Sequence, residues 1–155
     1  MPGAWVRALT LAPALLLAAC AVTPPSETGK TVPIAKRVPD HVKTTQAPDT
    51  DPAHYQVLAG THFSYRCHVP YVLSTQQAAI EVCEIDPVKL QILHWPETEV
   101  IQIVSGRVSI TEADGSTRHY AAGDLFVLPQ GFKGIWEQAE PLSKVVVRHP
   151  LFWKD

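Results

Sequence analysis

From residue 53 onward, apolar and β-branched residues fall in short runs that turn signals interrupt every few positions. Residues 79–85, 88–95, 100–104, 108–111, 125–128 and 145–147 are such runs. Asp86-Pro87, Asp114-Gly115, Gly123-Asp124 and Pro129-Gln130-Gly131 separate them. Runs this short suit strands better than helices, and an Asp-Gly between two alternating segments is a hairpin signal. Several short strands within about 100 residues predict an all-β fold, an antiparallel sandwich or barrel. Helix is expected only in the entry region near residues 53–60. The unbroken apolar runs 125–128 and 145–147 predict strands covered on both faces.

The N-terminal end has a different character. One cation, Arg7, precedes an apolar stretch over residues 8–19 that only Thr10 and Pro13 interrupt. A membrane-spanning helix needs about 20 apolar residues, so this stretch reads as a secretory signal. Its end, Leu17-Ala18-Ala19-Cys20, resembles the lipobox of bacterial lipoproteins. That resemblance implies cleavage after residue 19, acylation of Cys20 and anchorage to a membrane, since two or more acyl chains make attachment stable. Ala21, where an Asp commonly signals retention at the inner membrane, implies the outer membrane facing the periplasm.

Residues 20–52 hold Pro24, Pro25, Pro33, Pro39, Pro48 and Pro52 and no aromatic residue. Such a segment buries little apolar surface and disfavours both helix and central strand, so it reads as a disordered, extended tether. The expected organisation is therefore a signal peptide over 1–19, the lipidated Cys20 with its tether over 20–52, and one domain over 53–155 with its core near 78–149. A formal net charge of −2, from 13 Lys and Arg against 15 Asp and Glu, argues against nucleic acid as a partner.

Within the domain, Glu99 stands seven residues before Gly106-Arg107, and Gly123-Asp124 precedes Pro129-Gln130-Gly131-Phe132-Lys133-Gly134. These two constellations, with Ala122-Gly123-Asp124 and the late run Lys144-Val145-Val146-Val147, resemble the two cupin motifs, in particular those of small cupins of the ureidoglycine aminohydrolase type. The resemblance implies an antiparallel double-stranded β-helix, the jelly-roll barrel. It also implies a metal held by motif positions that here are Ile92, His94, Glu99 and Gly134. Of these only His94 and Glu99 carry donors, and a catalytic zinc normally takes three protein ligands. Gln138 shares the inward parity of Gly134 and Trp136 and offers an amide oxygen, whereas Gln102 needs a register change to do so.

Two readings of this set stay open. In one, no cofactor is held. His94 and Glu99 then form an acid-base or simply hydrogen-bonded pair in a small-molecule pocket walled by Ile92, Ile101, Ile103 and Trp136, with Gln138 at its edge. In the other, manganese, zinc or iron binds and the protein is a metal-dependent enzyme. A protein-interaction module, including a homodimer through a sheet face, is a third class. His41, His54, His62, His68, His119 and His149 share no ligand spacing and read as surface or loop residues.

Three cysteines leave one over if two pair. With Cys20 assigned to lipid, Cys67 and Cys83 form an even pair, either a disulfide or two buried thiols. A disulfide there closes a loop for which chain entropy predicts about 3 kcal/mol.

Overall fold

The computed structural model describes residues 31–41, 45–46, 53–60, 65–73, 75 and 77–148. The signal segment and Cys20 lie outside the described residues. So do His62 and His149. Eleven strands and no helix make up the described part. They are β1 (Thr45–Gln46), β2 (Tyr55–Ala59), β3 (Tyr65–Val72), β4 (Ala79–Ile85), β5 (Val88–Ile92) and β6 (Glu99–Ser105). The series continues with β7 (Arg107–Glu112), β8 (Thr117–Ala121), β9 (Leu125–Leu128), β10 (Gly134–Gln138) and β11 (Leu142–Arg148).

Two antiparallel sheets face one another. One runs β1-β3-β4-β11-β6-β9 and the other β2-β5-β10-β7-β8. Alternation along the strands decides what lies between them: Leu90 and Ile92 of β5, Ile101 and Ile103 of β6, Val108 and Ile110 of β7 and Trp136 of β10 are buried in one cluster. This is the jelly-roll sandwich that the strand pattern predicts.

Two chain reversals set the layout. Asp114-Gly115 closes the β7–β8 hairpin, with Gly115 at φ 86°. Hydrogen bonding from Ser116, whose backbone N–H reaches Asp114 Oδ1 at 2.8 Å, holds the Asp114 carboxyl below the usual carboxylate range. Gly106 does more than reverse a strand: β6 and β7 lie in different sheets, so Gly106, at φ 84°, carries the chain across the barrel corner. A Cβ there meets the Pro141 carbonyl oxygen at 2.6 Å.

Three expectations require correction. Residues 53–60 hold no helix. Tyr55–Ala59 is a strand paired with β5, with a bulge between Val57 and Ala59. The proline-rich segment is not free as far as residue 52. The Lys36 carbonyl accepts from Ser143 Oγ at 3.0 Å, Arg37 lies 3.7 Å from Glu84, Val38 is buried, and Thr45–Gln46 pairs with β3. One apolar side chain and a few backbone hydrogen bonds suffice to dock it over β4 and β11. Finally, β9 is covered on one face only, with Leu125 and Val127 exposed on the other side of the sheet.

Gly106→Ala is expected to lower unfolding free energy by about 2 kcal/mol or more, because it adds a clash to left-handed backbone strain. Gly115→Ala, where a Cβ meets nothing within 4 Å, should cost only about 1 kcal/mol. Urea denaturation of the two variants distinguishes these outcomes.

Candidate functional site

Among the described residues, the buried charges of the barrel interior come from three adjacent strands of one sheet. On β11, Lys144 and Arg148 share the inward parity of the core residues Leu142 and Val146. Strand β4 on one side supplies Glu81, and strand β6 on the other supplies Glu99. All four charged residues are buried, at 3% to 7% exposure. Lys144 Nζ lies 3.4 Å from Glu99 Oε2. Arg148 grips Glu81 with two donors, Nη2 to Oε1 and Nε to Oε2, the latter at 2.8 Å. Burial of ions is costly unless each is paired and hydrogen-bonded, and here each carboxylate has its own cation.

Aromatic rings frame Lys144. Its Nζ stands 5.4 Å from the centroid of the Trp136 ring, within cation-π range. Phe126 lies 6.5 Å from Trp136 and stacks on Tyr120 at 4.1 Å. The indole N–H of Trp136 donates to Gln138 Oε1 at 2.9 Å. Gln138 Nε2 in turn donates to the carbonyls of Ile85, Asp86 and Glu140. That amide is fully engaged in closing one end of the barrel and offers no free oxygen to a metal.

The structure separates the two residues expected to form a pair. Strand β5 ends at Ile92, and the N–H groups of Leu93 and His94 both turn to the His54 carbonyl. Strand alternation stops there, so His94 is exposed while Trp95 takes the interior. Glu99, inside, takes Lys144 as its partner. The expected pocket walls also require correction: Ile92, Ile101 and Ile103 are 1%, 0% and 1% exposed. Side chains with so little surface reachable by water border no ligand-sized space and belong to the packed core. Trp136 is buried with them. Among the other histidines, His41 and His119 are exposed, and His119 Nδ1 lies 2.8 Å from Ser109 Oγ.

These residues do not fit the metal of metal-bearing cupins. Ile92 carries no donor, His94 is exposed, and the Lys144 ammonium holds the Glu99 carboxylate. At Gly134 a Cβ falls 2.2 Å from the Thr111 carbonyl oxygen, so β10 and β7 are drawn too close for any ligand side chain.

A disulfide joins Cys67 and Cys83, directly opposite one another on β3 and β4 with Cα atoms 4.2 Å apart. It lies one inward position from Glu81 on β4. The sequence did not single out Glu81, Lys144 or Arg148 as site residues. The signal available was a charge at inward parity within an otherwise apolar strand, as in AIEVCEI and LSKVVVR.

Glu99→Gln should destabilise the barrel by about 3 to 5 kcal/mol, because it leaves the Lys144 ammonium buried without an opposite charge. The double variant Glu99→Gln/Lys144→Met, which removes both charges at similar volume, should recover most of that loss. Urea denaturation measures both; equal loss in single and double variants would contradict this account of the pair.

Residues 77–145 match the family model described as the EutQ-like cupin domain. Among solved structures, a protein of unknown function from Pseudomonas syringae pv. tomato superposes with TM-score 0.56 at 19% identity, over 70% of this chain and 45% of that one. The EutQ protein of Clostridium difficile superposes with TM-score 0.51 at 16% identity, over 72% of this chain and 83% of that one. The chain thus spans less than half the length of the Pseudomonas protein. No curated protein matches it. At such identities the likeness speaks to fold, not to activity. The matched segment, the two antiparallel sheets and these neighbours agree on the fold: a cupin-type jelly roll, in which residues 77–145 are similar to the EutQ-like cupin domain.

Proposed function

We propose that the protein is a membrane-tethered, periplasm-facing cupin that binds a compact polar molecule without a metal, as a sensor or accessory module. The observation that supports this reading is the replacement of the metal donor set by the buried Lys144–Glu99 pair beneath Trp136. An ammonium and a carboxylate held close in an apolar barrel present one donor group and one acceptor group to a ligand able to exchange hydrogen bonds with both. Because Glu99 and Lys144 are 3% and 7% exposed, binding requires neighbouring side chains to move aside, and the partly buried rings of Tyr120, Phe126 and Phe132 are the ones this reading assigns to that movement.

The alternative, a metal-dependent enzyme resembling ureidoglycine aminohydrolases, rests on the motif residues from Glu99 to Gly134. The geometry at Ile92, His94 and Gly134 does not favour it. The tether rests on the lipobox-like Leu17-Ala18-Ala19-Cys20.

A thermal-shift screen of small polar compounds against the oxidised full-length chain tests the binding reading. A ligand is expected to raise the Tm of the wild type and to leave Glu99→Gln/Lys144→Met unchanged. Stoichiometric manganese, zinc or iron in the oxidised protein that disappears in His94→Ala would defeat it. For the tether, Cys20→Ser should move the protein from the membrane fraction to the soluble fraction, whereas an unchanged distribution would remove the lipid anchor.

A further inference from the structure

The disulfide and its surroundings contain a second constellation that the mouth of the barrel does not use. Cys67 Sγ, Cys83 Sγ and a carboxylate oxygen of Glu81 all lie within 4.8 Å of one another, and all three residues are buried. Glu81 Oε2 is 3.8 Å from Cys83 Sγ. In a tetrahedral zinc site with metal–sulfur bonds of about 2.3 Å and metal–oxygen bonds of about 2.1 Å, neighbouring ligand atoms stand about 3.5 to 4 Å apart. The spacing between the Glu81 carboxylate and Cys83 Sγ is therefore already that of a metal site, Cys67 Sγ lies within 4.8 Å of the same carboxylate, and the two sulfurs must separate.

We propose that this cluster is a redox-gated site for a thiophilic divalent cation, zinc above all: closed as the Cys67–Cys83 disulfide, open to metal when the bond is reduced. In the first step a dithiol reductant gives two electrons and two protons to the disulfide and itself becomes a disulfide, leaving two thiols. In the second, the cation binds both sulfurs and one Glu81 oxygen while the two thiol protons leave to solvent. A fourth position stays open for water, as in three-ligand zinc sites.

Charge bookkeeping favours this occupant in a buried place. Glu81 and Arg148 already sum to zero, and a divalent cation with two thiolates also sums to zero, so loading adds no net charge to the core. Arg148 serves as the orienting partner. Its two hydrogen bonds fix the plane of the Glu81 carboxylate, with Oε2 turned toward Cys83. The same strand pairing that allows the disulfide keeps both sulfurs on the inner face, since Cys67 and Cys83 are partners in the β3–β4 ladder.

Cobalt(II) is the probe, because its thiolate complexes absorb visibly. The experiment uses the full-length chain with Cys20→Ser, which removes the remaining thiol, reduced with a phosphine that does not itself supply sulfur ligands. Reduced protein is expected to take up one equivalent of cobalt with thiolate charge-transfer bands and tetrahedral d–d absorption, and zinc should displace it. The oxidised protein should show neither band, and Cys67→Ser should lose the two-thiolate signature. Identical titrations of oxidised and reduced protein would overturn the proposal. Loss of the β-sheet circular dichroism on reduction would also overturn it, since the site requires the folded β3–β4 ladder.

Discussion

Strand β11 carries the cation of both buried ion pairs, and the rest of the interior is arranged around that fact. Lys144 and Arg148 sit two inward positions apart, with Glu99 on β6 and Glu81 on β4 supplying the opposite charges. A one-residue slip of β11 against either neighbour turns both cations to the outer face and leaves two carboxylates buried alone. The ion pairs therefore fix the register of three strands more tightly than interchangeable Val and Ile side chains can. Packing supplies the stability around them: Ile101, Val146 and Cys83 fill the same face.

The same arrangement accounts for the chemistry of the mouth. A cupin that holds a metal needs its carboxylate free and its opposite strand set back far enough to present a ligand. Here the carboxylate is taken by an ammonium on the same sheet, and in the other sheet β10 lies so close to its neighbour β7 that Gly134 leaves no room for a Cβ. Trp136, on the same strand as Gly134, stands over Lys144. The interior keeps a positive charge near the carboxylate, now covalently part of the chain. The polar contacts inside the barrel are accordingly the Lys144–Glu99 ion pair and the cation-π contact of Lys144 with Trp136.

How much of this was legible follows from what decides each element. Strands β4 to β7, β9 and β11 follow from runs and turn residues because their patterns are local, and β8 follows as the second arm of the Asp-Gly hairpin; β10, Gly134–Gln138, has no such run and enters only through the motif resemblance. Tyr55–Ala59 was not legible as a strand, since only Tyr55 is buried and pairing with β5 forms it. His94 failed for a related reason. Counting parity onward from Ile92 assumes that β5 continues, but its end is set by hydrogen bonds to His54, far away in sequence. Glu81, Lys144 and Arg148 obey the alternation and were legible in principle. A charge in a strand is ordinarily assigned to solvent, and only the partner strands reveal that these face inward.

The docking of the proline-rich segment changes what a tether can do. Residues 36–38 are held against β4 and β11 and residues 45–46 add to the sheet edge, so a tether of the proposed kind does not extend loose through the whole of residues 20–52. Proline content limited the apolar area the segment could bury, yet it left carbonyls, N–H groups and one valine able to dock. The disulfide lies on the strand that receives it: β1 pairs with β3, and Cys67 ties β3 to β4. Covalent closure of β3 onto β4 thereby holds in place the edge strand on which the segment docks.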